Sequence, residues 1–157
     1  MNKLKTYLII FLLFLLERVF FARFGIFGLT PWLSMAFLLS LSSVTDDFNG
    51  NIVLAFVSGL FIDFISGGVF LSATLVFVLM SLFINLLTKK LLRSNFWFSE
   101  ILIFVAFLMG ESVYFLINKA ELSEIFGSVL LLALINTLVS MLFYPLAKRI
   151  WKGGKRI

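Results

Sequence analysis

The chain has 157 residues, 62% of them hydrophobic and 13% charged, with a net charge of +5 and a mean hydropathy of +1.13. A soluble domain carries about 25% charged residues, so this composition excludes a water-soluble globule and points to an integral membrane protein folded as one unit over residues 1–157. With no Cys and no His, disulfides, thiol redox chemistry, Cys/His zinc sites and every His-activated nucleophile are excluded.

A helix that crosses a bilayer needs about 20 mainly apolar residues. The apolar runs predict an all-α bundle of about six transmembrane helices, at about 7–24, 30–44, 51–65, 69–87, 96–117 and 125–147, with a basic tail over 148–157. The second and third are short for full spans and read as tilted or shallow segments, or as helices in a thinned bilayer. Lys3 and Lys5 before Leu8–Leu16 resemble the start of a signal peptide, but Glu17-Arg18 follows without a small-x-small cleavage site, so an uncleaved first helix is expected. Pro31 opens the second helix, in the first turn, where a missing N–H costs nothing. Asp46-Asp47-Phe48-Asn49-Gly50 reads as a tight polar turn with Gly50 free to take positive φ, and Ser66-Gly67-Gly68 as a second, very short break.

With six spans, 10 of the 13 basic residues fall on one side: Lys3 and Lys5, then Lys89, Lys90 and Arg93, then Lys148, Arg149, Lys152, Lys155 and Arg156. The excess of Lys and Arg on the cytoplasmic side of membrane proteins places both termini in the cytoplasm. The basic cytoplasmic edge is then expected to meet anionic lipid, not nucleic acid.

An ionisable group at the membrane centre costs about 2.5–3.5 kcal/mol, so such groups face protein or water. Glu17 and Arg18 lie about 15 Å past Tyr7, Asp63 about 18 Å past Asn51, and Glu111 roughly 20 Å past Trp97, all between mid-membrane and the outer boundary. They form a candidate intramembrane charge network in which Arg18 counters Asp63 or Glu111. The other reading places Asp63 at a wetted outer interface, capping a turn. Neutral polar residues align on helix faces: Thr74, Ser81, Asn85 and Thr88 on the fourth, Tyr114 and Asn118 with Glu111 on the fifth, and Ser128, Asn136, Ser140 and Tyr144 on the sixth. Ala55-x-x-x-Gly59 permits close backbone approach, and all of these read first as helix–helix packing and hydrogen bonding. Ser66 has no His as base, Asp63 has no facing second Asp, Asp46 and Asp47 sit in a turn, and no Gly-rich phosphate loop occurs. No catalytic residue, cofactor or metal is expected.

The run Gly59-Leu60-Phe61-Ile62-Asp63-Phe64-Ile65-Ser66-Gly67-Gly68 resembles the rod shape-determining protein MreD family, whose short, hydrophobic members end the third span with a G-x-x-x-D-x-x-S-G type motif. Gly59, Asp63, Ser66 and Gly67 take those positions. Pro31-Trp32-Leu33 is similar to the family's Pro-led second span, and Asn136 in the last helix, before the basic tail from Lys148, to its C-terminal pattern. Trp32 stands where many members carry an acidic or polar residue, and Leu71 stands nearest to a position where a Gly is common. The resemblance implies a non-enzymatic subunit of the bacterial cell-elongation machinery in the cytoplasmic membrane. It would bind an MreC-like bitopic protein and, indirectly, an MreB-like filament and peptidoglycan synthases, with Pro31, Gly59, Asp63, Ser66, Gly67, Gly68 and Asn136 as the candidate partner interface. A second reading is the substrate-binding subunit of an energy-coupling-factor transporter, although Leu12–Ala22 lacks the Ala-x-x-x-Ala docking pattern. A third, a small channel or holin-like pore, needs a continuous polar face that only the fourth helix approaches.

Overall fold

In a computed structural model, which describes residues 3–21, 30–66, 69–91, 95–118 and 122–153, every regular element is helical and no strand occurs among the described residues. Six helices follow in order. Helix α1 (Lys3–Leu16) continues into a π-helical turn over Glu17–Phe21. Then come α2 (Leu33–Val44), α3 (Phe48–Ser66), α4 (Ser72–Leu91), α5 (Phe96–Ile117) and α6 (Leu122–Gly153). Three stretches are long and apolar enough to cross a membrane: Phe48–Ile65, Phe96–Ile117 and Gly127–Ile150. Their outer faces carry exposed Phe56, Phe64, Ile101, Leu130, Leu138 and Leu142, surface that suits lipid and not water. The chain is an all-α membrane protein.

Helix α2 sets the architecture. At 12 residues it rises about 18 Å, too little for a hydrocarbon core of about 30 Å. Every residue from Leu33 to Ser43 is buried, and α2 touches all five other helices. The short second span is therefore a core helix, not a shallow segment at the lipid boundary. Phe37 packs edge-on against Phe143 of α6, with 5.8 Å between ring centroids. The serines of α2 spend their hydroxyls internally. Ser40 donates to the Ala36 carbonyl at 2.8 Å and to the Ser140 carbonyl at 3.0 Å, and Ser43 donates to the Ser40 carbonyl.

The third helix is not short. It has 19 residues and begins at Phe48, because Asp47 caps it: the Gly50 N–H donates to Asp47 Oδ1 at 2.9 Å. The expected turn at Asp46–Gly50 is thus a helix start. Gly50 lies in the first turn of that helix and not in the positive-φ turn expected; a Cβ there would press on the Asp47 carboxylate. Helix α6 is longer than expected, 32 residues through Pro145, so the basic tail begins as exposed helical turns at Lys148 and Arg149.

The polar face of α4 is buried as its spacing predicts. Asn85 accepts from Asn51 Nδ2 at 2.9 Å, Asn51 also donates to Thr45 Oγ1 at 2.8 Å, and Ser81 meets Ser42 at 3.4 Å. This cluster ties α2, α3 and α4 together at the end opposite Asp63. In a medium without water such bonds fix helix register.

Candidate functional site

At the other end, α3 and α4 meet in a tight corner built from the G-x-x-x-D residues. Gly59 lies against the start of α4, where a Cβ would stand 2.9 Å from the Thr74 nitrogen and closer still to its Cα. One helical turn on, buried Asp63 accepts from the Ala73 and Thr74 N–H groups, both at 2.9 Å, and from the Thr74 hydroxyl and, at 3.4 Å, the Ser72 hydroxyl. The first N–H groups of a helix have no partner within it, and a carboxylate there also meets the positive end of the helix dipole. Asp63 therefore caps α4 from a neighbouring helix, and Gly59 makes the approach close enough. Ser66 ends α3, while Gly67 and Gly68 lie outside the described residues.

Leu71 completes the corner with φ of +66°, the left-handed region that favours glycine. That conformation delays α4 from the expected Val69 to Ser72. Leu71→Gly should raise the thermal unfolding midpoint of the detergent-solubilised protein, reflecting about 1 kcal/mol of relieved strain. Leu71→Ala, which keeps the Cβ, should not.

A second cluster joins α2, α5 and α6. Asn136 of α6 accepts from the Trp32 N–H at 2.8 Å and donates to Glu111 Oε1 of α5 at 2.7 Å. Both side chains are fully buried, and Glu111 Oε2 has no partner. Pro31 is buried beside this joint and supplies a carbonyl to the Leu33 N–H at 3.2 Å. The Trp32 ring fills the space between α4 and α5, with centroids 5.6 Å from Phe77 and 5.1 Å from Tyr114.

The expected charge network takes a different form. Glu17 turns to α2, accepting from the Ser34 hydroxyl at 3.1 Å and the Ser34 N–H at 3.4 Å. Asp63 caps α4 and Glu111 meets Asn136, so all three carboxylates are met by neutral donors. Among the described residues no ion pair joins Arg18 to Asp63 or Glu111; Arg18 Nε is buried without a partner, and the guanidinium carbon lies 6.0 Å over the Phe14 ring. Both residues lie in the π-helical turn, with Glu17 buried and Arg18 partly exposed.

One buried carboxylate was not among the expected ones. Glu100 accepts from the Ser140 hydroxyl at 2.6 Å and leaves Oε1 unpartnered. It precedes Glu111 by 11 residues, three turns of helix, so both face α6. That spacing was the available signal, hidden by the position of Glu100 near the start of the helix.

Comparison with family models, with curated proteins and with solved structures gave no match.

Proposed function

We propose that this chain is a non-enzymatic membrane subunit of the bacterial cell-elongation machinery, of the MreD type. It would bind an MreC-like bitopic protein and help couple an MreB-like filament to peptidoglycan synthesis. The observation that carries the reading is the α3–α4 corner. The motif residues Gly59 and Asp63 act there as one unit, and the positive φ of Leu71 lies nearest to a position where the family commonly has Gly. The joint at Pro31, Trp32 and Asn136 adds support, because Asn136 holds the backbone N–H directly after Pro31. In this reading the protein sits in the cytoplasmic membrane with both termini inside. The exposed α5 and α6 faces are available to a partner's transmembrane helix, and the basic end of α6 to anionic lipid.

The test is a mild-detergent pull-down of the tagged full chain from its native membrane, read by mass spectrometry. A bitopic coiled-coil protein together with wall synthases is the expected catch. Paired ATPases with a membrane coupling subunit would overturn the assignment in favour of a transporter component.

A further inference from the structure

A groove of about 300 Å³ opens between α1 and α3, with α2 as its floor. Its walls are Tyr7, Ile10, Phe11 and Phe14 of α1 and Val57 and Phe61 of α3, and Ser34 and Ser58 are its polar lining residues. Phe61 stands edge-on to Phe11 at 6.4 Å and tilted to Phe14 at 6.5 Å between ring centroids. Arg18 stands at the Phe14 end, partly exposed, its guanidinium over that ring and its Nε unpartnered. Glu17, its neighbour in sequence, is buried and engaged with Ser34.

From this arrangement we infer that the α1–α3 groove is a binding site for one anionic glycerophospholipid, with an acyl chain between α1 and α3 and the phosphate on Arg18. The lining suits hydrocarbon and little else. Arg18 lies 11 residues from Tyr7, about 16 Å along the helix, so a chain that starts at Arg18 can follow the groove toward Tyr7. A phosphate at Arg18 therefore puts its chain along the groove and not across it. A volume of about 300 Å³ accepts about ten groups of methylene size, since a water takes roughly 30 Å³. An arginine near a helix end inside a membrane protein reaches for a polar partner at the interface. Guanidinium matches phosphate in charge and in hydrogen-bond geometry. Among the described residues no carboxylate pairs with it. This site is separate from the basic end of α6 and does not depend on the elongation reading.

The test uses native mass spectrometry of the full chain, purified in detergent and offered dioleoylphosphatidylglycerol or dioleoylphosphatidylcholine. The wild type should hold one phosphatidylglycerol through washing and release phosphatidylcholine. Arg18→Gln should lose about fivefold in preference for the anionic lipid, and Arg18→Lys should recover much of it. Val57→Phe leaves the charge intact and fills the groove, so it should abolish retention even if Arg18→Gln fails to fold. Equal retention of both lipids by the wild type, an unchanged preference in Arg18→Gln, or retention in Val57→Phe would each overturn the site. A photo-crosslinker replacing Val57 in native membranes should label lipid; capture of a protein helix there would overturn it too.

Discussion

Asp63→Ala should destabilise the protein by about 3 kcal/mol, the largest effect expected of any single truncation at the α3–α4 corner. The substitution removes the acceptor for the Ala73 and Thr74 N–H groups and the Thr74 hydroxyl, all buried. Those groups cannot turn to water in their surroundings, and each orphaned buried donor costs about 1–3 kcal/mol. Loss of negative charge at the start of α4 adds about 0.3–1 kcal/mol. Asp63→Asn keeps one carbonyl oxygen but turns an NH₂ toward donors, so it should fall between Ala and wild type. Unfolding in mixed micelles by added SDS, followed by circular dichroism, gives the comparison. An Asp63→Ala midpoint equal to wild type would mean that the cap contributes nothing. A pull-down at a temperature where the variant is folded then separates stability from partner binding.

Asn136→Ala should cost about 2–3 kcal/mol, because one side chain serves two orphans. The Trp32 N–H loses its acceptor and Glu111 Oε1 its donor, in a carboxylate whose other oxygen is already unpartnered. The two losses are coupled. In a double-mutant cycle with Glu111→Ala, the pair should cost less than the two single changes together, by about 1 kcal/mol. Strict additivity in the same SDS assay would show that the Asn136–Glu111 bond is not formed in the bilayer-like state. Glu111→Gln retains an acceptor toward Asn136 and should stay within about 1 kcal/mol of wild type.

Much of this architecture is legible in the sequence because hydrophobic runs and hydrogen-bonding faces obey simple periods. Six helical segments follow from length and hydropathy. The buried stripe of Thr74, Ser81, Asn85 and Thr88 follows from spacing, and the close contact at Gly59 from a small-x-x-x-small pattern. What the sequence misleads on is the employment of its charges. Reading Glu17, Arg18, Asp63 and Glu111 as partners of one another assumes that a buried charge seeks the opposite charge. In the structure α2 and α4 each begin at a carboxylate from another helix, and α3 and α5 begin at Asp47 and Asn95, two local caps. Helix starts are where a membrane chain is shortest of acceptors. A carboxylate that meets one or two N–H groups and a neighbouring hydroxyl, as Glu17 and Asp63 do, satisfies such a start, which a guanidinium cannot. Periodicity could not show this, because a cap in trans leaves no spacing rule. Nor could it separate the short α2 from a shallow segment, since a core helix and an interfacial one differ in what surrounds them.

The burial of α2 on all sides also bears on how the chain reaches the membrane. A segment of 12 residues is too short to be held across lipid by its own hydrophobicity, and two of its serines, Ser42 and Ser40, reach across to α4 and α6. Its neighbour of greatest extent is α6, which follows the other five described helices in the chain. Helix α2 therefore gains its largest neighbour only when α6 has been made, about 80 residues later. Until then Leu33–Val44 has no finished site in the bilayer, and a chain truncated before α6 should be cleaved by added protease more readily than the full chain. The centre of the bundle is thus complete only when a distant part of the chain has joined it.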